Sequence, residues 1–320
     1  MKVRNRTKPA GLLAGIASVA LILAACGDDN GDDASTDNTT EDAGDSAGLL
    51  DGREISIAIF EGWDEGIVAS YLMGHVFESE GAAVTYDFAD VPVVYTGVAE
   101  GQFDISFDAW LPSTHEDYWA EHGDSMEDLV VWYDDAPLTI AVNEDAPIES
   151  LAELPDNADA FGNRVVGIEP GSGLNRITRD VVFPTYGLED AGFEFVESST
   201  AGMLGDLQAA IDAGEDVVVT LWRPHWAYAA FPIRDLEDPE GALGDPEEIH
   251  AFGRDGFTEN FPEAAELVSN FRLTPEELIG IEDIMVVQNE ASNDDEYAAS
   301  IEEWLDANPD WIDRLKAGEL

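Results

Sequence analysis

Val217-Val218-Val219-Thr220-Leu221-Trp222-Arg223-Pro224-His225-Trp226 is the stretch that decides the fold. Its first half is a continuous apolar, β-branched run, the pattern of a strand covered on both faces. Pro224 cannot continue a central strand, so the run ends there. A tryptophan, a histidine and a second tryptophan then stand where a core strand gives out. In open α/β sheets that end of a strand is where ligands bind. Two other runs share the design. Ile55–Phe60 leads into Glu61-Gly62-Trp63, and Phe103–Ala109 leads into Trp110-Leu111-Pro112. One such Trp is ordinary core; three at strand exits point to an aromatic pocket.

Outward from these runs, strands alternate with helices. Ala83–Phe88, Leu138–Val142, Arg164–Ile168 and Phe193–Val196 read as strands. Glu65–Glu80, Val93–Glu100, Leu174–Tyr186 and Ala201–Ala213 read as helices, the first and last stopped by Gly81 and Gly214. After Phe231-Pro232-Ile233 the chain reads as helical, with Pro262–Phe271, Pro275–Gln288 and Glu296–Leu305. The alternation predicts an α/β fold with mainly parallel sheet, in two lobes. Residues 52–137 plus 232–320 form the first and 138–231 the second.

The N-terminus reads as an export signal. Lys2, Arg4, Arg6 and Lys8 precede an apolar stretch from Leu12 to Leu23. That stretch is short for a membrane span. Leu23-Ala24-Ala25-Cys26 looks like a bacterial lipobox, which makes residues 1–25 the signal peptide and Cys26 the lipidated first residue of an exported, membrane-anchored protein. Residues 26–50, rich in Asp, Asn, Ser, Thr and Gly, read as an acidic disordered tether. Asp28, Asp29, Asp32 and Asp33 lack the spacing and closing Glu of a calcium loop. Cys26 is the sole cysteine. Acylated, it leaves the folded part without disulfide, thiolate metal site or thiol nucleophile.

The net charge is −55. Residues 1–25 hold four of the 14 Lys and Arg and none of the 69 Asp and Glu. The remainder therefore carries 69 acids against 10 bases, with Lys316 its one lysine. Nucleic acid is excluded as a partner, because gripping phosphates requires basic patches. The acids are spread along the whole chain, which reads as adaptation to high salt rather than as one acidic binding surface. Enzyme motifs are missing. There is no Walker loop or His-Glu-x-x-His, and His75, His115, His122, His225 and His250 lack zinc-ligand spacing. No cofactor is expected.

Four motifs carry a family resemblance: Gly62-Trp63-Asp64; Asp108-Ala109-Trp110-Leu111-Pro112-Ser113-Thr114-His115; Gly167-Ile168-Glu169-Pro170-Gly171-Ser172-Gly173; and Leu221-Trp222-Arg223-Pro224-His225-Trp226. Together with Trp304-Leu305-Asp306-Ala307-Asn308-Pro309, and over roughly residues 52–310, the chain resembles the glycine betaine/choline-type substrate-binding proteins of ABC importers. The resemblance implies a two-lobed periplasmic-binding-protein fold, type II-like, hinged at two crossover segments. It implies a cleft holding a quaternary amine (glycine betaine, proline betaine or choline) in an aromatic cage. The implied partners are a membrane permease and a cytoplasmic ATPase.

A trimethylammonium group has no N–H to donate, so aromatic faces must bind it. Trp63, Trp110 and Trp222 are the expected cage. A betaine carboxylate needs donors. Gly171-Ser172-Gly173 opens a helix, whose first N–H groups are free for an anion, and His225 offers another donor. Each also has a plain reading, as a capped turn and a structural histidine. His115 is the weaker histidine candidate. Asp64 and Glu65 either solvate a helix start or face a full cation such as choline.

The unscreened charge predicts a salt-dependent fold. Thermal melts at about 0.1 M and at several molar NaCl should show a clearly higher Tm at high salt. Equal melting temperatures would remove the high-salt reading.

Overall fold

Seven residues from Glu54 to Phe60 form strand β1, whose last four side chains are all buried. An apolar run enclosed on both faces needs sheet neighbours on either edge and helices above and below. The structure, a computed structural model, describes residues 48–320. The expected signal peptide, Cys26 and the expected tether up to residue 47 lie outside the described residues. Leu50, expected at the end of the tether, is fully buried and donates its N–H to the Glu80 carbonyl at 2.8 Å.

The first sheet adds β2 (Ala83–Ala89), β3 (Ile105–Leu111) and β4 (Met126–Ala136). Its order is β2-β1-β3, then the later strand β10 (Glu247–Arg254), then β4. The second holds β5 (Leu138–Asn143), β6 (Arg164–Val166), β7 (Glu194–Val196), β8 (Val218–Trp222) and β9 (Ile233–Asp235), in the order β7-β6-β8-β5-β9. Strand β10 (Glu247–Arg254) returns to the first sheet between β3 and β4.

The two sheets have one plan. Three parallel strands stand side by side, β2-β1-β3 and β7-β6-β8. An antiparallel strand follows, β10 or β5, and an outer strand completes each sheet. The expectation of mainly parallel sheets therefore holds for three strands of five. Strands β4 and β10 were not read from the sequence. Glu127, Asp128, Glu247 and Glu248 interrupt their apolar pattern, and the pairing between them shifts register three times, so neither shows a clean period of two.

The chain crosses between sheets twice. Pro137 alone separates β4 from β5. The return runs from residue 236 to 246. The sequence placed it at 232, but β9 pairs with β5 through Asn143 and Ile233, and Leu236 N–H reaches the Ile140 carbonyl at 2.9 Å. A three-residue edge strand is too short to show a period.

Helices follow their apolar stripes. Asp64–Ser79 has 12 buried residues and packs behind β1 and β3. The C-terminal helices Pro275–Glu282, Asp294–Ala307 and Trp311–Ala317 cover the first sheet's side of the molecule, with contacts from Asp64–Ser79 to the first two. Gly173–Tyr186 is one helical run, widened by a π turn at Thr178–Val182. Among the described residues no helix is long and apolar enough to cross a membrane.

Trp304 stands edge-on to Trp311 at 5.8 Å and is 5% exposed. Its truncation leaves a cavity between helices. Trp304→Ala should cost about 3 kcal/mol in guanidinium unfolding, with an unchanged far-ultraviolet circular dichroism spectrum. An unchanged midpoint would show that the terminal helices are not part of the cooperative unit.

Candidate functional site

Each of the three strand exits delivers its tryptophan to one place. Trp222 is the last residue of β8, Trp110 is one residue from the end of β3, and Trp63 sits between β1 and the helix Asp64–Ser79. Their rings are 3–5% exposed. With Glu65, Thr114 and His115 from the first lobe and Leu138, Ile168, Ser172 and Leu174 from the second, they line one small cavity. Trp63 stands edge-on to Trp222 at 6.5 Å and stacks on the His115 ring at 5.6 Å, 12° from parallel. Leu138, the first residue after the Pro137 crossover, pairs directly with Trp222. The hinge is thus one residue away from the cavity wall.

The lobes are shut on this cavity. Trp63 Nε1 donates to Glu169 Oε2 at 3.3 Å, and Trp226 Nε1 to Asp64 Oδ2 at 2.7 Å. Tyr118 Oη donates to the Gly171 carbonyl at 2.8 Å. Gly62 permits the first contact. Its φ is +91°, and a Cβ there would come within 2.9 Å of Glu169 Oε1. A Cβ on Gly173 would stand 1.9 Å from the Thr114 carbonyl oxygen, so closure to this distance requires glycine.

Of the expected carboxylate donors, only Ser172 lines the cavity. Its Oγ accepts the Asn175 N–H at 3.3 Å, which leaves its O–H proton to donate. Gly173 N–H and Leu174 N–H open the helical run and have no intrahelical acceptor. Gly171 and Gly173 face the other lobe rather than the cavity. Asn175 is buried and holds the turn through Ile168 N–H and the Ile168 and Glu169 carbonyls, at 2.9–3.0 Å.

His225 does not line the cavity. Its Nδ1 accepts the Ala227 N–H at 3.1 Å, and its ring stands edge-on to Trp222 at 4.8 Å. His115 takes the position at the wall. Its Nδ1 accepts the Trp110 N–H at 3.0 Å, so the proton of the neutral ring is on Nε2. That nitrogen is buried without a protein partner. Burial, with Arg176 nearby, depresses the His115 pKa to about 3; burial alone takes His225 to about 3. Both are neutral donors at physiological pH. The short motif ending in Thr114-His115 was the available signal for this residue.

Asp64 and Glu65 part company at the helix start, because successive helical residues point about 100° apart. Asp64 is half-buried, accepts the Trp226 indole N–H, and has its pKa pushed up to about 6 by burial. Glu65 turns to the cavity with Oε2 unpartnered. Burial first, then Asp108 and Glu282, raise its pKa well above the usual range. Asp108 accepts the Trp110 indole N–H at 2.9 Å. Its other oxygen is unpartnered, and burial pushes it up to about 7. Glu282 is fully buried with neither oxygen paired, and is raised by burial and then by Asp64. Asp108, Glu169 and Glu282 had no role in the sequence reading; in a chain with 69 acids, single carboxylates give no signal.

The matched family model is the substrate binding domain of ABC-type glycine betaine transport systems, over residues 53–307. A glycine betaine/carnitine transport binding protein of Listeria monocytogenes is 32% identical over 173 residues, 54% of this chain and 54% of that protein. The match thus spans about half the length of that relative. Among solved structures, the lactococcal protein in its closed-liganded conformation with glycine betaine superposes with a TM-score of 0.74. It is 25% identical, over 82% of this chain and 99% of that one. An ABC-transporter choline binding protein in complex with choline gives 0.74 and 25%, over 83% and 92% of the two chains.

Asp108 makes stability fall with rising pH. The folded state keeps its proton to about pH 7 while the unfolded chain releases it near 3.8, so the folded state binds more protons across that window. Asp108→Asn, which cannot ionise, should be more stable than the parent at about pH 8 by at least about 1 kcal/mol, with the gain gone near pH 4. Denaturant midpoints at both pH values, in constant molar salt, read this. A gain independent of pH would mean that Asp108 is not protonated by burial.

Proposed function

The chain belongs to the family of substrate-binding domains of ABC-type glycine betaine transport systems, and on that premise we propose that it captures glycine betaine, or a related betaine, for import. The observation that carries this reading is the cavity walled by Trp63, Trp110 and Trp222 between shut lobes, with a neutral imidazole donor at His115. In this reading three indole faces hold the trimethylammonium group, each contributing about 0.5–2 kcal/mol. His115 Nε2–H, Ser172 Oγ–H and the free N–H group of Leu174 receive the carboxylate. No bond is made or broken, and the ligand leaves unchanged.

In this proposal lobe closure excludes water and presents the loaded receptor to a permease driven by a cytoplasmic ATPase. Lipidated Cys26 holds the exported protein at the outer face of the membrane, with residues 26–47 as leash. The acid excess fits a saline exterior, where a betaine serves as osmoprotectant. Catalysis on the same lobes would predict turnover of the bound ligand.

Glu65 favours a second reading. An unpartnered carboxyl on the cavity wall suits a ligand with net positive charge, namely choline. Calorimetric titration of glycine betaine, proline betaine and choline in molar salt separates the two. The betaine reading expects glycine betaine to bind more tightly, since buried donors left unpaired cost about 1–3 kcal/mol each. Tighter choline binding, abolished selectively by Glu65→Gln, establishes the second reading. In either, Trp222→Ala should weaken binding at least about tenfold, or 1.4 kcal/mol, with smaller losses for Trp222→Phe and Trp222→Tyr and none for Trp304→Ala. A folded Trp222→Ala that binds like the parent would place the cage elsewhere.

A further inference from the structure

Arg176 stands on the second lobe four residues past Ser172, and its guanidinium spans the closed cleft. Its Nη2 donates to the Ser113 carbonyl at 2.7 Å and reaches the Thr114 carbonyl at 3.5 Å. Its Nη1 lies 3.1 Å from Glu116 Oε1 and its Nε 3.3 Å from Asp117 Oδ2. All four acceptors belong to the first lobe. Among the described residues no other cation forms an ion pair between the lobes. The side chain is 25% exposed, so its bonds are partly shielded from solvent. Glu121 on the first lobe and Asp180 and Glu197 on the second line the same mouth. Arg179 lines it too and pairs with Asp180 and Glu197 inside the second lobe, so the first-lobe acids Glu116 and Asp117 are met by Arg176, the one cation that crosses the mouth.

The turn that receives Arg176 is itself held. Glu247 is 3% exposed and is the first residue of β10, directly after the return crossover. Its carboxylate accepts Ser113 N–H, Thr114 N–H at 3.0 Å and the Thr114 hydroxyl. With the N–H groups turned to Glu247, the carbonyls of the same two residues are left for Arg176. The strand that ends the hinge thus fixes the acceptors of the second lobe's arginine, and the same turn carries Thr114 and His115 to the cavity wall.

We propose that Arg176 and Glu247 form one latch that holds the lobes closed and sets the rate at which bound ligand escapes. Arg176 bridges the cleft, and Glu247 is a positioning residue that acts through the Ser113-Thr114 turn. The inference rests on the receptor reading above. Arg176 touches no cavity surface, so it acts on escape rather than on recognition. A planar fork that satisfies two carbonyls and two carboxylates is replaced only in part by an ammonium.

The test is stopped-flow tryptophan fluorescence on the full-length chain in molar salt, with glycine betaine and choline as probes, for parent, Arg176→Ala, Arg176→Lys, Glu247→Gln and the Arg176→Ala/Glu247→Gln double variant. Dissociation should quicken about tenfold in Arg176→Ala, with partial recovery in Arg176→Lys and association rates within about twofold of the parent. Glu247→Gln should also quicken dissociation. The double variant should fall well below the product of the two single effects, as expected for groups in one network. A merely structural arginine would lower Tm and leave dissociation unchanged, which overturns the proposal. So does a double variant equal to the product, or an Arg176→Ala effect confined to association. Small-angle scattering gives a reading that needs no ligand. Arg176→Ala should be more open than the parent, and an identical radius of gyration overturns the latch even if the parent binds neither probe. Failure of the parent to bind while the variant opens would instead sink the receptor reading and keep the latch.

Discussion

The folded, closed chain removes from water three indole faces, two imidazoles and three carboxyls that lack a cation to pair with. That desolvation is the constraint on which the site depends. Burial of the rings is favourable by area. Burial of Glu65, Asp108 and Glu282 as anions is not, so their pKa values are raised. The imidazoles are held neutral for the same reason. The cavity therefore presents aromatic faces, N–H donors and the Glu65 carboxyl, whose neutral form burial favours. A ligand that carries its own positive charge meets the negative faces of the rings without competing against a resident cation.

The repeated sheet plan explains how five residues from each lobe reach one cavity. In both sheets the parallel strands end toward the cleft, as the rule for open α/β sheets requires. The strands joined by the crossovers lie beside them. Pro137 leads into Leu138, which pairs with Trp222, and the return leads into Glu247, which grips the Ser113-Thr114 turn. Each connection between lobes thus ends on a residue that touches the site or supports a residue that does. Rotation of one lobe against the other cannot leave the cavity wall unchanged.

Acidity, which dominates the composition, takes several forms in the fold. Most carboxylates are solvated, and a few cap the chain. Glu153 and Glu277 complete capping boxes with Ser150 and Thr274. Glu80 joins Lys316, which fastens the last helix to the end of the helix Asp64–Ser79. Glu169 accepts Trp63 across the cleft and Thr200 within its own lobe, at 2.9 Å from the hydroxyl. The sparse arginines occupy positions with several acceptors, as Arg234 does with the Ala146 and Ile148 carbonyls.

By itself the sequence determined the two-lobed α/β layout, the strand runs of β1, β3 and β8, and the three tryptophans at their exits, because continuous apolar runs and the prolines that end them are local signals. It did not disclose β4, β9 or β10, whose residues are strands through long-range pairing rather than through their own pattern. It ranked His115 below His225. Only the tertiary structure turned the first to the cavity and the second to its own backbone, through the Trp110 and Ala227 N–H groups. Which of 69 acids lost their water, and which arginine crossed the cleft, were likewise decided by packing, since burial and distance are properties of the folded chain and not of residue type.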